Sequence, residues 1–210
     1  MVPTGRNAKG SCRVIGVTGS FGSGKTTVAK MLARPRGRVI DGDELARHAV
    51  EPGRPALEQI KVAFGCDLVD AESRLRRREL AQRVFGDRSA VRRLNQIVHP
   101  YVRAEAERLM GEWKTETERI ILDVPLLFEA RMQDMTDLTV VVIINERQRF
   151  GRLKRRGFHE REVMARLATQ MSQARKMQRA DYVIDNSGGF ERTGRQVDDL
   201  LEHLEGVKTQ

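Results

Sequence analysis

The chain has 210 residues, of which 40% are hydrophobic and 5% aromatic, and its formal net charge is +9 at pH 7. This length suits one α/β domain with an inserted subdomain better than two independent domains. The basic balance suits nucleic acid, an anionic membrane or a polyanionic small substrate, but the low aromatic content argues against the stacking platforms that bind single-stranded nucleic acid.

The N-terminal segment, residues 1–12, lacks the apolar core of a signal peptide, and no apolar run approaches the roughly 18 residues that span a bilayer. We therefore predict a disordered leader on a cytoplasmic protein with no membrane partner. The two cysteines, Cys12 and Cys66, lack C-x-x-C spacing, and the four histidines are scattered. Neither a disulfide framework nor a structural metal site is expected.

A phosphate-binding motif follows the first predicted strand, residues 13–18. Its pattern, G-x-x-x-x-G-K-[ST], is met at every constrained position, and a helical pattern follows it. Its glycines let successive backbone N–H groups turn toward one anion, to which the helix adds its positive N-terminal end. We expect Lys25 to reach the β- and γ-phosphates of a nucleotide and the Thr26 hydroxyl to bind Mg²⁺. The predicted nucleotide-binding residues here are Gly19, Ser20, Phe21, Gly22, Ser23, Gly24, Lys25, Thr26 and Thr27.

Further short apolar runs, separated by long helical patterns, predict strands at 38–41, 119–124, 138–144 and 181–184. This alternation favours a parallel sheet covered by helices on both faces, with ligands at the carboxyl ends of the strands. Between the second and third strands lie roughly 75 residues of mainly helical pattern, far more than a crossover of about a dozen residues needs. We therefore predict an α/β fold of the P-loop NTPase type, with a three-layer α/β/α core (13–51 and 118–210), a five-stranded parallel sheet and a helical substrate-binding insertion (52–117).

Acidic residues lie at the ends of two predicted strands. Asp41 and Asp43 are two apart on a segment expected to be extended, so their side chains should share a face beside the phosphates. Asp43 is placed to accept the proton of an acceptor hydroxyl, as carboxylates do in kinases, although it could also cap the helix that follows. Asp123 ends the third strand and resembles an acid that orders Mg²⁺, directly or through water, with helix capping as the alternative.

An arginine-rich segment follows the fourth strand. It contains Arg147, Arg149, Arg152, Arg155 and Arg156. Beside the glycine turn at Gly157, these residues suit a mobile lid, about 148–170, that closes over phosphate oxygens and excludes water. Because an arginine-rich helix is more often a solvated face, not all of them can be catalytic. One helix is predicted over 160–179.

Several segments together resemble the dephospho-coenzyme A kinase family. They are the phosphate loop, Asp41-Gly42-Asp43, Val50-Glu-Pro-Gly53, His99-Pro100, Pro125-Leu-Leu-Phe-Glu129 and the closing Ala180-Asp-Tyr-Val-Ile-Asp-Asn-Ser-Gly188, within a resemblance that runs from about Val14 to Leu204. That family transfers the γ-phosphate of ATP to the ribose 3′-hydroxyl of dephospho-coenzyme A. The resemblance therefore implies ATP and Mg²⁺ as cofactors, dephospho-coenzyme A as acceptor, and a phosphate-loop core with a helical coenzyme-A-binding domain and a lid.

The resemblance also implies roles for single residues. Asp43 matches the family's proposed catalytic base, and Arg155 matches a lid arginine, so Asp43, Lys25 and Arg155 are the predicted catalytic residues. Asn186 matches the adenine end of the ATP site. The predicted substrate-binding residues are Asp43, Arg77, His99, Pro125, Leu126 and Arg166. Without the resemblance, His99-Pro100 would indicate a helix start and little more.

Some positions depart from the family's pattern. The loop has Ser20-Phe21 where the family usually has Gly-Ile, and Gly42 stands where Ala is usual. Neither change removes a phosphate ligand. Gly151 occupies the usual place of the first lid arginine, with Arg149 and Arg152 close by.

Other functions fit the sequence less well. A GTP-binding switch needs an N-K-x-D element that is missing, and its D-x-x-G should lie near the adjacent strand, whereas Asp185-Asn-Ser-Gly188 lies about 160 residues past the loop. The positive net charge is the reason to consider a nucleic-acid-binding ATPase. Within the kinase class, the alternative is another P-loop nucleoside or nucleotide kinase. We expect small-molecule substrates, no nucleic-acid partner, and a monomer or weak homo-oligomer.

Overall fold

The computed structural model describes residues 12–84 and 86–206. The chain divides into two compact units, one formed by Met1–Asp41 with Leu109–Gln210 and the other by Gly42–Arg108. The second unit overlaps the predicted insertion, 52–117, and both of its limits lie earlier in the chain. The predicted leader, 1–12, lies outside the described residues except for Cys12, which is buried.

Helices lie between most consecutive strands of the described chain. The strands are β1 (Arg13–Gly19), β2 (Gly37–Asp41), β3 (Arg119–Asp123), β4 (Leu138–Ile143) and β5 (Tyr182–Asp185). The helices are α1 (Lys25–Ala33), α2 (Gly42–His48), α3 (Pro55–Phe64), α4 (Arg77–Val84), α5 (Arg88–Trp113), α6 (Glu146–Arg155), α7 (Glu160–Ala168), α8 (Gln173–Met177) and α9 (Phe190–Gly206). Short 3₁₀ helices cover Cys66–Leu68 and Met132–Met135.

The first unit contains a five-stranded parallel sheet with the strand order β2-β3-β1-β4-β5. This confirms the predicted sheet, and each strand limit lies within one residue of the predicted one. The order changes direction at β1, which pairs with β3 on one side and β4 on the other. Ligands of open α/β sheets bind outside the carboxyl ends of the strands at such a point, and the phosphate loop leaves β1 there.

The core of the first unit lies between the sheet and helices α1 and α9. Side chains from both helices pack on Ile15 and Val17 of β1; the buried helical residues are Val28, Ala29, Leu32, Val197, Leu200 and Leu204. Gly16 faces the opposite side of the sheet, since side chains alternate along a strand. A Cβ at Gly16 would lie 2.9 Å from side-chain carbons of Leu127 and Thr136, so the segment after β3 covers that face closely.

The second unit is helical and has an apolar core of its own. One cluster of its buried residues comprises Val50, Ala56, Ile60, Leu68, Leu80 and Val84. Helix α5 follows Asp87, whose carboxylate accepts hydrogen bonds from the backbone N–H groups of Ser89 and Ala90 at 2.7 and 3.1 Å. His99-Pro100, which would indicate a helix start if the family resemblance were set aside, does not begin this helix, because Asp87 caps it and Pro100 lies in its interior.

The helix predicted over 160–179 is interrupted. Helix α7 ends at Ala168 and α8 begins at Gln173, with the Ser172 hydroxyl accepting from the backbone N–H of Arg175. The intervening residues bind elsewhere, since the Gln170 side chain accepts from Phe21 and the Met171 N–H donates to Glu129. Long-range hydrogen bonds therefore outweigh helix continuity here. Among the described residues, no helix is both long and apolar enough to cross a membrane.

Candidate active site

The phosphate loop joins β1 to α1 and has the backbone conformation of an anion-binding turn. Gly22 and Gly24 have φ angles of +79° and +85°, a region that side chains with a Cβ rarely adopt. Neither glycine has room for a Cβ: a Cβ at position 22 would clash with Leu153, and one at position 24 would clash with the Asn186 amide. The sequence GSFGSGKT thus folds into a loop whose following helix begins at Lys25.

Lys25, Thr26 and Asp123 come together at the carboxyl edge of the sheet. The Lys25 ammonium lies 3.1 Å from Asp123 Oδ1, and the Thr26 hydroxyl donates to Asp123 Oδ2 at 2.7 Å. Burial raises the pKa of the Asp123 carboxyl, and the Lys25 charge and the Thr26 hydrogen bond partly offset this rise. The next helical segment after Asp123 starts at Met132, so Asp123 caps no helix.

Asn186, which follows β5, is hydrogen-bonded to the phosphate loop. Its side-chain amide donates to the carbonyl oxygen of Ser23 at 2.7 Å, and its side-chain oxygen accepts from the Thr193 hydroxyl at 3.0 Å. Its own backbone N–H donates to Ile143 at the end of β4. Because its side chain bonds to Ser23 and Thr193 and its backbone to Ile143, Asn186 joins the loop to the turn after β5.

A cavity of about 420 Å³ opens beside the loop, and Arg152, Arg155, Arg156, Asn186 and Phe190 are among its lining residues. Arg155 is exposed there, as a lid residue that contacts a ligand would be. The guanidinium of Arg152 donates to the carbonyl oxygen of Asn186 at 3.0 Å. Arg155 and Asn186, both predicted to bind ATP, therefore line one cavity together with glycines of the loop.

Arg149 and Arg152, the two arginines near Gly151, lie in different environments. Arg149 is buried, and its guanidinium donates to the Gln173 side chain at 2.9 Å, so it serves the packing of α6 against α8. Burial also lowers its pKa. Arg152 lines the cavity instead. The sequence left this choice open, because Arg149, Arg152 and Arg155 follow one another at three-residue spacing and helical periodicity places all three on one face.

The segment predicted to be a lid, 148–170, contacts the phosphate loop at Phe21. The Phe21 N–H donates to Gln170 Oε1 at 2.9 Å, and the rings of Phe21 and Phe158 meet edge to face with centroids 5.2 Å apart. Arg166 lies over both rings and pairs with Glu162 at 2.8 Å. Arg166, a predicted substrate-binding residue, is therefore next to the loop.

Pro125, a second predicted substrate-binding residue, belongs to a buried polar network that the sequence did not indicate. Its carbonyl oxygen accepts from the Thr18 hydroxyl at 3.0 Å and from the Lys176 ammonium at 2.5 Å. Lys176 is fully buried and also lies 3.2 Å from Glu129 Oε1. The neighbouring Leu126 carbonyl accepts from the N–H of Ala130 in the same turn. The network ties the segment after β3 to the end of β1.

Asp43 belongs to the second unit. It is the second residue of α2, and Asp41 ends β2 in register with Asp123 of β3. The expectation of an extended segment on which Asp41 and Asp43 share a face is wrong, because the strand ends at Asp41 and the helix starts at once. Asp43 also lies inside the first turn, where a negative charge favours the positive helix end, and not directly before the helix as a cap would.

Arg77 and His99 are the other predicted substrate-binding residues of the second unit. Arg77 begins α4, and its guanidinium donates to the carbonyl oxygen of Arg47 at 3.0 Å. His99 is partly buried within α5. Arg77 is thus held near the end of α2, the helix that carries Asp43.

Comparison with known proteins gives consistent matches. A family model described as Dephospho-CoA kinase matches residues 13–192. The dephospho-CoA kinase of Corynebacterium diphtheriae is 43% identical over 190 residues, which cover 88% of this chain and 95% of that protein. The crystal structure of TT1252 from Thermus thermophilus is 34% identical, with a TM-score of 0.77 over 92% of this chain and 98% of that one. A dephospho-CoA kinase from Campylobacter jejuni, 22% identical, shares the fold with a TM-score of 0.67 over 92% and 97% of the two chains.

Proposed function

The chain belongs to the dephospho-CoA kinase family, and we propose that it transfers the γ-phosphate of ATP to the ribose 3′-hydroxyl of dephospho-coenzyme A, giving ADP and coenzyme A. The observation that carries the proposal is the phosphate loop with Lys25 and Thr26 beside the buried Asp123. Phosphoryl transfer depends mainly on positioning and on stabilising negative charge, and this arrangement supplies both.

The proposed reaction assigns a residue to each bond that forms or breaks. The acceptor oxygen bonds to the γ-phosphorus, the bond from that phosphorus to the bridging oxygen of ADP breaks, and the hydroxyl proton passes to a carboxylate. We assign that carboxylate to Asp43. Backbone N–H groups of the loop and the Lys25 ammonium would hold the β- and γ-phosphates, where negative charge is shared in the transition state.

Thr26 and Asp123 fit a Mg²⁺ ion. They present hydroxyl and carboxylate oxygens, the hard donors that Mg²⁺ prefers, and Asp123 Oδ1 is buried without a hydrogen-bond partner among the described residues, although Lys25 lies beside it. When bound, Mg²⁺ would shield the phosphate charge from the approaching oxygen. Asp123 would serve directly or through a water molecule.

The two substrates would use different residues. We assign the adenine end of ATP to the turn at Asn186 and its phosphates to the loop and Arg155, supported by the cavity that these residues line. We assign dephospho-coenzyme A to Asp43, Arg77, His99, Pro125, Leu126 and Arg166. A cytoplasmic location and a monomeric or weakly associated state stay predictions.

A coupled assay of ADP formation tests the function. Purified protein with ATP and Mg²⁺ is offered dephospho-coenzyme A, AMP, CMP or adenosine, with and without DNA or RNA, and the product is identified by mass. We expect kcat/KM for dephospho-coenzyme A to exceed the others by about a hundredfold or more, since a site that pairs with the correct acceptor discriminates strongly. Equal or faster phosphorylation of AMP, CMP or adenosine would support the alternative kinase, and turnover that requires DNA or RNA would support an ATPase.

A further inference from the structure

Phe21 stands where the family usually has isoleucine, and its ring belongs to a cluster with two lid residues. The rings of Phe21 and Phe158 have an interplanar angle of 84°. The Arg166 guanidinium carbon lies 4.7 Å from the Phe21 centroid and 5.3 Å from the Phe158 centroid, within the range of a cation–π contact. We call Phe21, Phe158 and Arg166 the aromatic clasp.

The backbone around the clasp fixes the Phe21 ring from two sides. The Phe21 N–H is bound by Gln170, beyond the end of α7, at 2.9 Å. The adjacent Gly22 packs so closely on Leu153 of α6 that a Cβ would approach within 2.7 Å. On the lid side, Gly157 has a φ of +83°, and the N–H of Phe158 donates a hydrogen bond to the carbonyl oxygen of Leu153. These contacts hold the backbone of both aromatic residues without the help of Arg166.

Among the described residues, Glu162 is the ionic partner of Arg166, and this pair cannot place Arg166 on the loop. Glu162 lies one turn earlier on the same helix, and about half of each side chain is exposed. An exposed pair of this kind is weak and screened by salt, and it orients Arg166 only along α7. The face of Phe21 is the contact that joins this guanidinium to the phosphate loop.

We infer that Phe21 is a positioning residue that seats Arg166 of the lid against the phosphate loop for phosphoryl transfer. The inference rests on the proposed function, in which Arg166 binds substrate. Isoleucine at position 21 would keep an apolar contact but lose the negative π face that attracts the guanidinium. Tyrosine would keep that face.

The test is a double-mutant cycle. The proteins are wild type, Phe21→Ile, Phe21→Tyr, Arg166→Ala and the double variant Phe21→Ile/Arg166→Ala, each measured for the kcat of transfer to dephospho-coenzyme A, the KM for ATP and the melting temperature. Trp113→Leu is the matched control, because Arg38 lies over the Trp113 ring at 5.0 Å, away from the loop.

We expect Phe21→Ile to lower kcat about five- to tenfold, with a melting temperature within about 3 °C of wild type. Tyrosine should recover most of that loss, and in the Arg166→Ala background the effect of isoleucine should shrink to less than about twofold, because a residue that acts through Arg166 has nothing left to position. Trp113→Leu should leave kcat unchanged.

Three results would overturn the inference while the proposed function stands. They are an equal loss of kcat from Phe21→Ile with and without Arg166, a Phe21→Tyr variant as slow as Phe21→Ile, or a matching loss of kcat in Trp113→Leu. If the wild type transfers no phosphate to dephospho-coenzyme A, the proposed function fails. The same variants then test the clasp through their affinity for ATP, where coupling between the Phe21 and Arg166 substitutions supports it and additivity overturns it.

Discussion

Replacing Lys176 by methionine removes a buried ammonium group and keeps most of its apolar stem. The wild-type ammonium has three oxygen neighbours: Pro125 O at 2.5 Å, Glu129 Oε1 at 3.2 Å and the Thr18 hydroxyl at 3.3 Å. Pro125 keeps its hydrogen bond from Thr18, and Glu129 keeps one from the Met171 N–H. The variant therefore mainly loses the cation that compensates the Glu129 carboxylate.

Removing one partner of a buried ion pair costs about 3–5 kcal/mol. Two features reduce this value. Glu129 Oε1 keeps the hydrogen bond from the Met171 N–H, and burying the lysine is itself unfavourable, since burial lowers the pKa of Lys176 despite the opposing charge of Glu129. We expect Lys176→Met to lower the free energy of unfolding by about 2–3 kcal/mol, or about 4–12 °C in melting temperature for a chain of this size.

Urea and thermal unfolding of wild type, Lys176→Met and Lys176→Met/Glu129→Gln measure this effect. Glutamine removes the uncompensated charge and keeps an oxygen for the Met171 N–H, so the double variant should regain at least half of the lost stability. A single variant within about 0.5 kcal/mol of wild type, or a double variant no more stable than the single one, would refute the reasoning.

The same residue sets a pH dependence. Because the pKa of Lys176 is lower in the folded protein than the ordinary 10.5, the unfolded chain binds more protons between these two values. Stability attributable to this residue then increases as pH rises through that window. The wild type should gain stability relative to Lys176→Met as pH approaches 10.5, and a constant difference would contradict the assigned burial cost.

Four further substitutions address the site. Lys25→Ala should leave a folded protein, shown by circular dichroism, and lower kcat by about a hundredfold or more, because a preorganised charge beside the phosphates is lost; near-normal turnover would contradict its assignment. Asp43→Asn should keep the melting temperature within a few degrees and lose at least about a hundredfold in kcat, and a loss below about tenfold would exclude it as the base. Arg155→Ala should lower phosphate transfer and increase ATP hydrolysis in the absence of acceptor, and Arg155→Lys should restore transfer only in part. Unchanged kinetics in Arg155→Ala would show that Arg155 is a solvent-exposed surface residue with no role in transfer. Asn186→Ala should lower the free energy of unfolding by about 2 kcal/mol and raise the KM for ATP, since Ser23 O loses its buried donor; an unchanged KM would show that the loop does not need this support.

The sheet was predictable because β1, β3 and β4 are short apolar runs buried on both faces, and such runs stand out between helical patterns. The strand predicted over 138–144 is Leu138–Ile143 in the structure, for example. The phosphate loop was equally predictable from the sequence, because its function depends on glycines and a lysine at fixed spacing within a few residues.

What the sequence did not reveal depends on contacts between distant residues. The break between α7 and α8 follows from the bond of Gln170 to Phe21, 149 positions away. Lys176 lies in a segment rich in basic residues, where a solvated face is the usual expectation. It is instead buried against Thr18, 158 positions away. Periodicity and propensity are local signals and carry no information about such partners.

The strand order has a consequence for synthesis on the ribosome. Strands β1 and β2 are made first, yet they are not neighbours, since β3 lies between them. Neither can pair until residues up to Asp123 have emerged, and at roughly 5–20 residues per second the wait after Asp41 is on the order of 4–16 s. The core residues of Gly42–Arg108 all come from that segment, so it can collapse during the wait. The apolar strand β1 meanwhile stays unpaired, which makes the nascent chain a natural client for chaperones that shield exposed strands.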